Sequence, residues 1–187
     1  MKAIKLSFIF LLFLAIVTSC KRDCYRDLEP EEKIRLGYKG WETIIFKNPT
    51  TGKKDTMLTG AVNKTITPGE GKCKDEKESF SVNGSFRNRL YSNINAITFS
   101  TQITAPNKDV SALVYPVITT SIGKFTINQG VTRITTNING VAIADVYELV
   151  NTQPVADPEV EKIYFTFNYG LVKIQLKNGQ YWERINI

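Results

Sequence analysis

The chain has no histidine among its 187 residues and only three cysteines, Cys20, Cys24 and Cys73. Without imidazole there is no histidine general base, no Ser-His-Asp triad and no histidine metal ligand. With no Cys-x-x-Cys pair either, a zinc site has almost no ligands to draw on. No Gly-x-Ser-x-Gly elbow and no phosphate-cradling glycine loop occur, and Gly69-Glu70-Gly71 reads as a flexible loop. Asp145 and Glu148 fall on opposite faces if Val141 to Val150 is a strand, so they are not expected to act as paired carboxylates. The expectation is a protein that is not an enzyme and carries no cofactor. Clustered positive charge is also missing. Lys and Arg exceed Asp and Glu by 24 to 18, but the cations are scattered among acids, as in Lys72-Cys73-Lys74-Asp75-Glu76-Lys77. A nucleic-acid surface needs a basic stripe or a recognisable motif, so no nucleic-acid partner is expected.

Long hydrophobic runs are likewise lacking. The longest, Leu6 to Val17, is shorter than the roughly 20 residues a membrane-spanning helix requires. It follows Lys2 and Lys5 and precedes Val17-Thr18-Ser19-Cys20. This arrangement resembles a bacterial lipoprotein signal: a positive end, an apolar stretch, an aliphatic residue, two small residues and a cysteine. The resemblance implies that residues 1–19 are a cleaved signal peptide and that Cys20 is the lipid-attachment residue. It would carry a thioether-linked diacylglycerol and an acylated amine, palmitate-type chains. Each buried methylene contributes about 0.8 kcal/mol, so several chains hold a protein on a membrane essentially permanently. Lys21 follows Cys20, whereas aspartate there retains lipoproteins at the inner membrane of better-known bacteria. The resemblance therefore favours a lipid-anchored place in the cell envelope at the outer membrane, on its periplasmic or surface face.

Removal of the signal leaves 168 residues and, with Lys2 and Lys5 gone, lowers the net charge from +6 to +4. That length suits one domain with a real core. With Cys20 lipidated, Cys24 and Cys73 remain as an even pair in an oxidising compartment. A disulfide between them closes a loop of roughly 50 residues and contributes about 4 kcal/mol by the chain-entropy model. Two free thiols are the alternative.

Residues 20–41 read as a lipidated stem. Asp27-Leu28-Glu29-Pro30-Glu31-Glu32 holds an N-cap candidate, an early proline and first-turn acids, so a short helix is expected to about Leu36. Residues 42–187 read as a β-rich domain. Ile97, Phe99, Thr101 and Ile103 alternate with Thr98, Ser100, Gln102 and Thr104, and Ile134, Thr136 and Ile138 alternate with Thr135 and Asn137. Asn139-Gly140 and Asn178-Gly179 each sit between two such runs and predict two-residue type I′ hairpins. Further turns are expected at Asn48 to Gly52, Asn83-Gly84, Ala105 to Asp109 and Thr152 to Pro158. Apolar residues occupy odd positions at Ile163, Phe165, Phe167 and Tyr169, then even ones at Val172, Ile174 and Leu176. That change of phase beside Gly170 predicts a bulge or sharp bend. About eight to ten strands result. The fold class is mainly β, an antiparallel meander forming a curved half-barrel or sandwich with a short N-terminal helix in the stem.

Two segments carry a further resemblance. Tyr38-Lys39-Gly40 with Glu42-Thr43-Ile44-Ile45-Phe46-Lys47 and Asp55-Thr56 is similar to the opening hairpin of small uncharacterised lipoproteins of the Bacteroidota type. Gly170-Leu171-Val172-Lys173-Ile174, Gly179 and Trp182-Glu183-Arg184 are similar to their closing hairpin. These motifs are structural, so the resemblance implies no catalytic residue. It implies a curved half-barrel like those of periplasmic lipid-handling proteins. Asp55-Thr56-Met57 also matches the O-glycosylation pattern of such bacteria, though three-residue patterns arise often by chance.

The aromatics Tyr38, Trp41, Tyr164, Phe165, Phe167, Tyr169, Tyr181 and Trp182 gather in those two hairpins. Core and cross-strand packing is the commoner use of aromatics in strands; a sugar-stacking platform or an apolar pocket lining is the alternative. The expected function is a membrane-anchored, non-enzymatic domain that acts by binding or as a structural accessory to an envelope protein complex. The alternatives are a hydrophobic-ligand or lipid carrier with a half-barrel pocket, and cell-surface glycan binding. The glycan reading predicts an exposed coplanar row of tryptophan and tyrosine, and burial of Trp41 and Trp182 would remove that support.

Overall fold

The computed structural model describes residues 24–69, 76–86, 98–105, 113–120, 123–127, 131–151 and 159–187. The signal at 1–19, Cys20, Cys73 and most of the turns expected at 105–109 and 152–158 lie outside them. Within them, period-two alternation becomes strand after strand. These are β1 (Thr43–Lys47), β2 (Lys54–Thr67), β3 (Lys77–Phe86), β4 (Thr98–Thr104), β5 (Leu113–Thr120), β6 (Gly123–Thr126), β7 (Arg133–Ile138), β8 (Val141–Val150), β9 (Val160–Thr166), β10 (Gly170–Leu176) and β11 (Tyr181–Arg184). In β4, for example, Phe99, Thr101 and Ile103 are buried while their neighbours are not.

All neighbours pair antiparallel in one open sheet, in the order β6-β5-β4-β3-β2-β1-β11-β10-β9-β8-β7. Two meanders, β1 to β6 and β7 to β11, make up the sheet, with β6 and β7 at its opposite edges and β11 pairing with β1 to join them. Phe46 faces Arg184 and Lys47 faces Glu183, so the two ends of the domain meet at the centre of the sheet. The sheet curls until β6 approaches β8, and its concave face buries Ile44, Phe46, Met57, Phe165, Ile174 and Trp182.

The turns obey local chemistry, with informative exceptions. Asn139 and Gly140 both have positive φ, 50° and 83°, as a type I′ hairpin requires. At the second Asn-Gly only Gly179 is left-handed. There the Gly179 amide donates to the Leu176 carbonyl and the Leu176 amide to the Gln180 carbonyl. The hairpin is as expected, but its loop is three residues long, and Asn178 instead accepts the Gln180 amide through Oδ1. Asn48 Oδ1 likewise accepts the Thr50 and Thr51 amides between β1 and β2. Asn83-Gly84, expected as a turn, lies inside β3. Gly84 is there for space: a Cβ on it would sit 2.2 Å from the Phe99 ring on the next strand.

The phase change near Gly170 corresponds to a register shift between Leu171 and Lys173. Its consequence differs from the simple alternation. Leu171, not Val172, shares the concave face with Ile174 and Leu176, and Val172 joins a second cluster with Ile138, Ile143, Val146 and Tyr164. A matching shift in β8 centres on Asp145, which has φ 54°. It turns Ile143 and Val146 to that second cluster but Tyr147 and Leu149 to the concave core.

The helix is α1 (Pro30–Ile34), shorter than the expected run to Leu36. Glu32 reaches back to accept the Glu29 amide, and Pro30 occupies the first turn, where its missing N–H costs nothing. Around α1 the segment from 24 to 41 contributes Leu28, Leu36 and Tyr38 to the core. Glu78 of β3 ties it down, 2.6 Å from Lys64 and 4.0 Å from Lys33. Burial opposes the Glu78 carboxylate, but the Lys64 hydrogen bond and the two ammonium charges outweigh it and hold its pKa below the usual range. Tyr38 locks the arrangement. Its ring stacks on Phe99 with centroids 4.4 Å apart, and its oxygen accepts the Leu171 amide at 2.8 Å.

Gly170 has φ 71°, and a Cβ there would meet the Tyr38 ring at 2.2 Å. Gly170→Ala is therefore expected to cost about 2–4 kcal/mol, from left-handed strain plus overpacking. Gly52→Ala, with φ 70° and nothing within 4 Å, should cost only about 1–2 kcal/mol. Urea midpoints of the two variants check this, and equal shifts would refute the wedge.

Candidate functional site

One tryptophan is in the core and the other is not. Trp182 is 1% exposed on the concave face, whereas Trp41 is 81% exposed. Of the other aromatics in the two end hairpins, Tyr38, Tyr164 and Phe165 are buried, Phe167 and Tyr181 are half-buried and Tyr169 is exposed. Packing is thus the use of most of them, and no row of exposed Trp and Tyr forms.

Trp41 is held where its backbone resists being. Its φ is 54°, the left-handed region that a bulky side chain enters at a cost of about 1–2 kcal/mol. Gly40 makes this possible, since a Cβ there would meet the Val62 amide nitrogen at 2.9 Å. The Trp41 amide then donates to the Gly60 carbonyl at 2.9 Å, and the Glu42 amide to Thr59 Oγ1 at 2.7 Å. Gly60 lies at a register shift in β2, between Thr59 and Val62. A bulged strand therefore clamps the segment so that the indole projects outward. Strain of this kind, held by surrounding structure, collects at working sites.

Beneath the indole lies an open groove of about 620 Å³ on the outer face of β1 to β5. Register builds its floor. Thr43 faces Leu58, Leu58 faces Ser85, Ser85 faces Thr98 and Thr98 faces Thr119. A second row runs Asn83, Ser100, Val117. Five strands at about 4.8 Å spacing make the first row roughly 19 Å long. Among the described residues Glu42 is the one ionisable residue lining the groove, and its Oε2 accepts the Lys39 amide at 2.7 Å. The described lining is hydroxyl-rich and carries little charge, with one aromatic wall. It can offer hydrogen bonds and a stacking face.

Other chemistry-bearing residues are dispersed. Asp145 lies 3.8 Å from Arg133 and Glu148 3.0 Å from Lys162, so each carboxylate has its own cation. Tyr164 and Tyr38 have pKa values pushed well above the ordinary phenol, chiefly by burial. Thr56 of the Asp55-Thr56-Met57 pattern sits within β2 between two buried residues, paired with Ile45. Cys24 is half-buried, while its expected partner Cys73 lies outside the described residues. Among the described residues no three His, Cys, Asp or Glu side chains gather as metal ligands. Comparison with protein families, curated proteins and solved structures finds no match to this chain.

Sequence reasoning flagged Trp41 but not its strained backbone, whose only local sign is Gly40 before it. The hydroxyl row was invisible, because it exists only once five strands are in register.

Because Trp41 is exposed and strained, Trp41→Gly should leave stability unchanged or raise it by up to about 1 kcal/mol, left-handed relief exceeding the entropy of glycine. Trp182→Ala should cost about 3–5 kcal/mol. Thermal melts of both variants decide; a large loss at Trp41 would make it a packing residue.

Proposed function

We propose that this chain is a membrane-anchored envelope lipoprotein, tethered through Cys20 at the outer membrane and stapled by a Cys24–Cys73 disulfide, that acts by binding and not by catalysis. Its recognition surface is the groove beneath Trp41. The observation that carries this reading is the exposed indole fixed in a left-handed backbone by the Gly60 carbonyl. Such a feature lowers stability and does nothing for the core, so its use lies in contact with something else.

Neutral glycan is the ligand class that the groove suits best, through the single exposed indole of Trp41 and not through the aromatic row first expected for it, since Trp182 is buried. An aromatic face stacks on the apolar side of a sugar ring, and Ser85, Thr98, Ser100 and Asn83 supply donors and acceptors for its hydroxyls. A formal charge on the ligand is not required, since the described floor residues present none.

Two measurements test the proposal. Fractionation of cells making Cys20→Ala should move the protein from the membrane pellet to the soluble envelope fraction; retention in the pellet at full length would remove the anchor. Neutral oligosaccharides screened against the wild-type chain should yield a binder that Trp41→Gly weakens at least roughly tenfold, as expected for loss of an aromatic anchor. Hydrolysis of glycan, ester or peptide substrates by the purified protein would overturn the non-enzymatic reading.

A further inference from the structure

Arg184 is a buried cation without an anion. In β11 it alternates with Trp182 on the inward face, and the residue is only 7% exposed. Its guanidinium donates to two backbone carbonyls, those of Tyr169 and Asn186. No carboxylate among the described residues forms an ion pair with it. Glu42 acts on it only through space, and burial pulls its pKa below that of a free arginine. A charge taken out of water is normally paired, because its desolvation is otherwise uncompensated.

The arginine faces a groove of about 650 Å³ between α1 and the chain following β11, within the size range of small-molecule sites. Its walls are apolar. Leu36 and Phe80 line it, and so do Ile34, Tyr169 and Ile187, three of the large hydrophobic side chains that the domain leaves in water. Lys33 and Lys39 stand at the same groove, and Glu42 is the acidic side chain among its described lining residues. Lys33 also faces Glu78 at 4.0 Å.

We propose that this groove holds a long-chain carboxylic acid, its alkyl chain along Ile34, Phe80 and Ile187 and its carboxylate on Arg184. The charge complementarity is specific: a neutral lipid would leave the guanidinium unanswered, and a glycan would leave the apolar walls wet. The site is a different groove from the one beneath Trp41, although Glu42 lines both.

The test is photolabelling of the full anchored chain in neutral phosphatidylcholine membranes with a diazirine analogue of palmitic acid, mapped by peptide mass spectrometry. Labelling should fall on the segments around Ile34, Tyr169 and Ile187. Unlabelled palmitate should compete, and methyl palmitate should not. Arg184→Met should reduce labelling roughly tenfold or more, the effect of losing one charge-assisted hydrogen-bonding partner. Since Arg184 also braces two carbonyls, Ile34→Glu provides a second variant at a 63% exposed position, where folding is not at stake. It should lower labelling as well, whereas Trp41→Gly should leave it unchanged. Equal competition by the methyl ester, or labelling indifferent to Ile34→Glu, would overturn the assignment.

Discussion

The fold depends on the pairing of β1 with β11 and on the tyrosine that secures it. Without that seam the chain would be two separate ribbons, β1 to β6 and β7 to β11, each with its hydrophobic face open. Tyr38 reinforces the seam from the concave side, lying against Gly170, stacked on Phe99 and accepting the Leu171 amide. One aromatic ring thus touches the stem, the N-terminal ribbon and the C-terminal ribbon together. The backbones of Gly37 and Gly170 come so close that a Cβ on Gly37 would lie 2.7 Å from the Gly170 nitrogen, which is why both positions lack side chains.

From this seam the curvature and the two faces follow. Bulges at Asp145 and beside Val172 each turn one side chain of the next pair over, so β8 and β10 serve two hydrophobic clusters at once. The concave face is packed by Trp182, Phe46, Phe165 and Met57, leaving the described grooves on the outside or where the stem meets β11. Both grooves carry a feature that costs stability, a left-handed tryptophan in one and an unpaired guanidinium in the other. A sheet with so large a buried core can tolerate such costs where a smaller domain could not.

Much of this was legible because it is local. Alternation placed β4, β7 and β8, and Asn139-Gly140 carried its turn in its own dihedral preferences. Misreadings arose where a residue answers to a partner distant in sequence. Gly84 looks like a turn until Phe99 is laid across it. Val172 looks like part of the concave core until the bulge hands that place to Leu171 and turns Val172 to the second cluster. Arg184 drew no attention as part of a structural motif, since burial of a charge cannot be inferred from its neighbours in the chain.

The sequence by itself determined the mainly β class, most strand positions and the hairpins, because side-chain period and turn dihedrals act over a few residues. Tertiary structure alone decided which strands meet, which face each bulged segment presents, and that hydroxyls from four strands, with Leu58 of β2 among them, form one row under Trp41. Those outcomes rest on register and curvature, which are set by contacts such as Tyr38 with Gly170, more than a hundred residues apart in the chain.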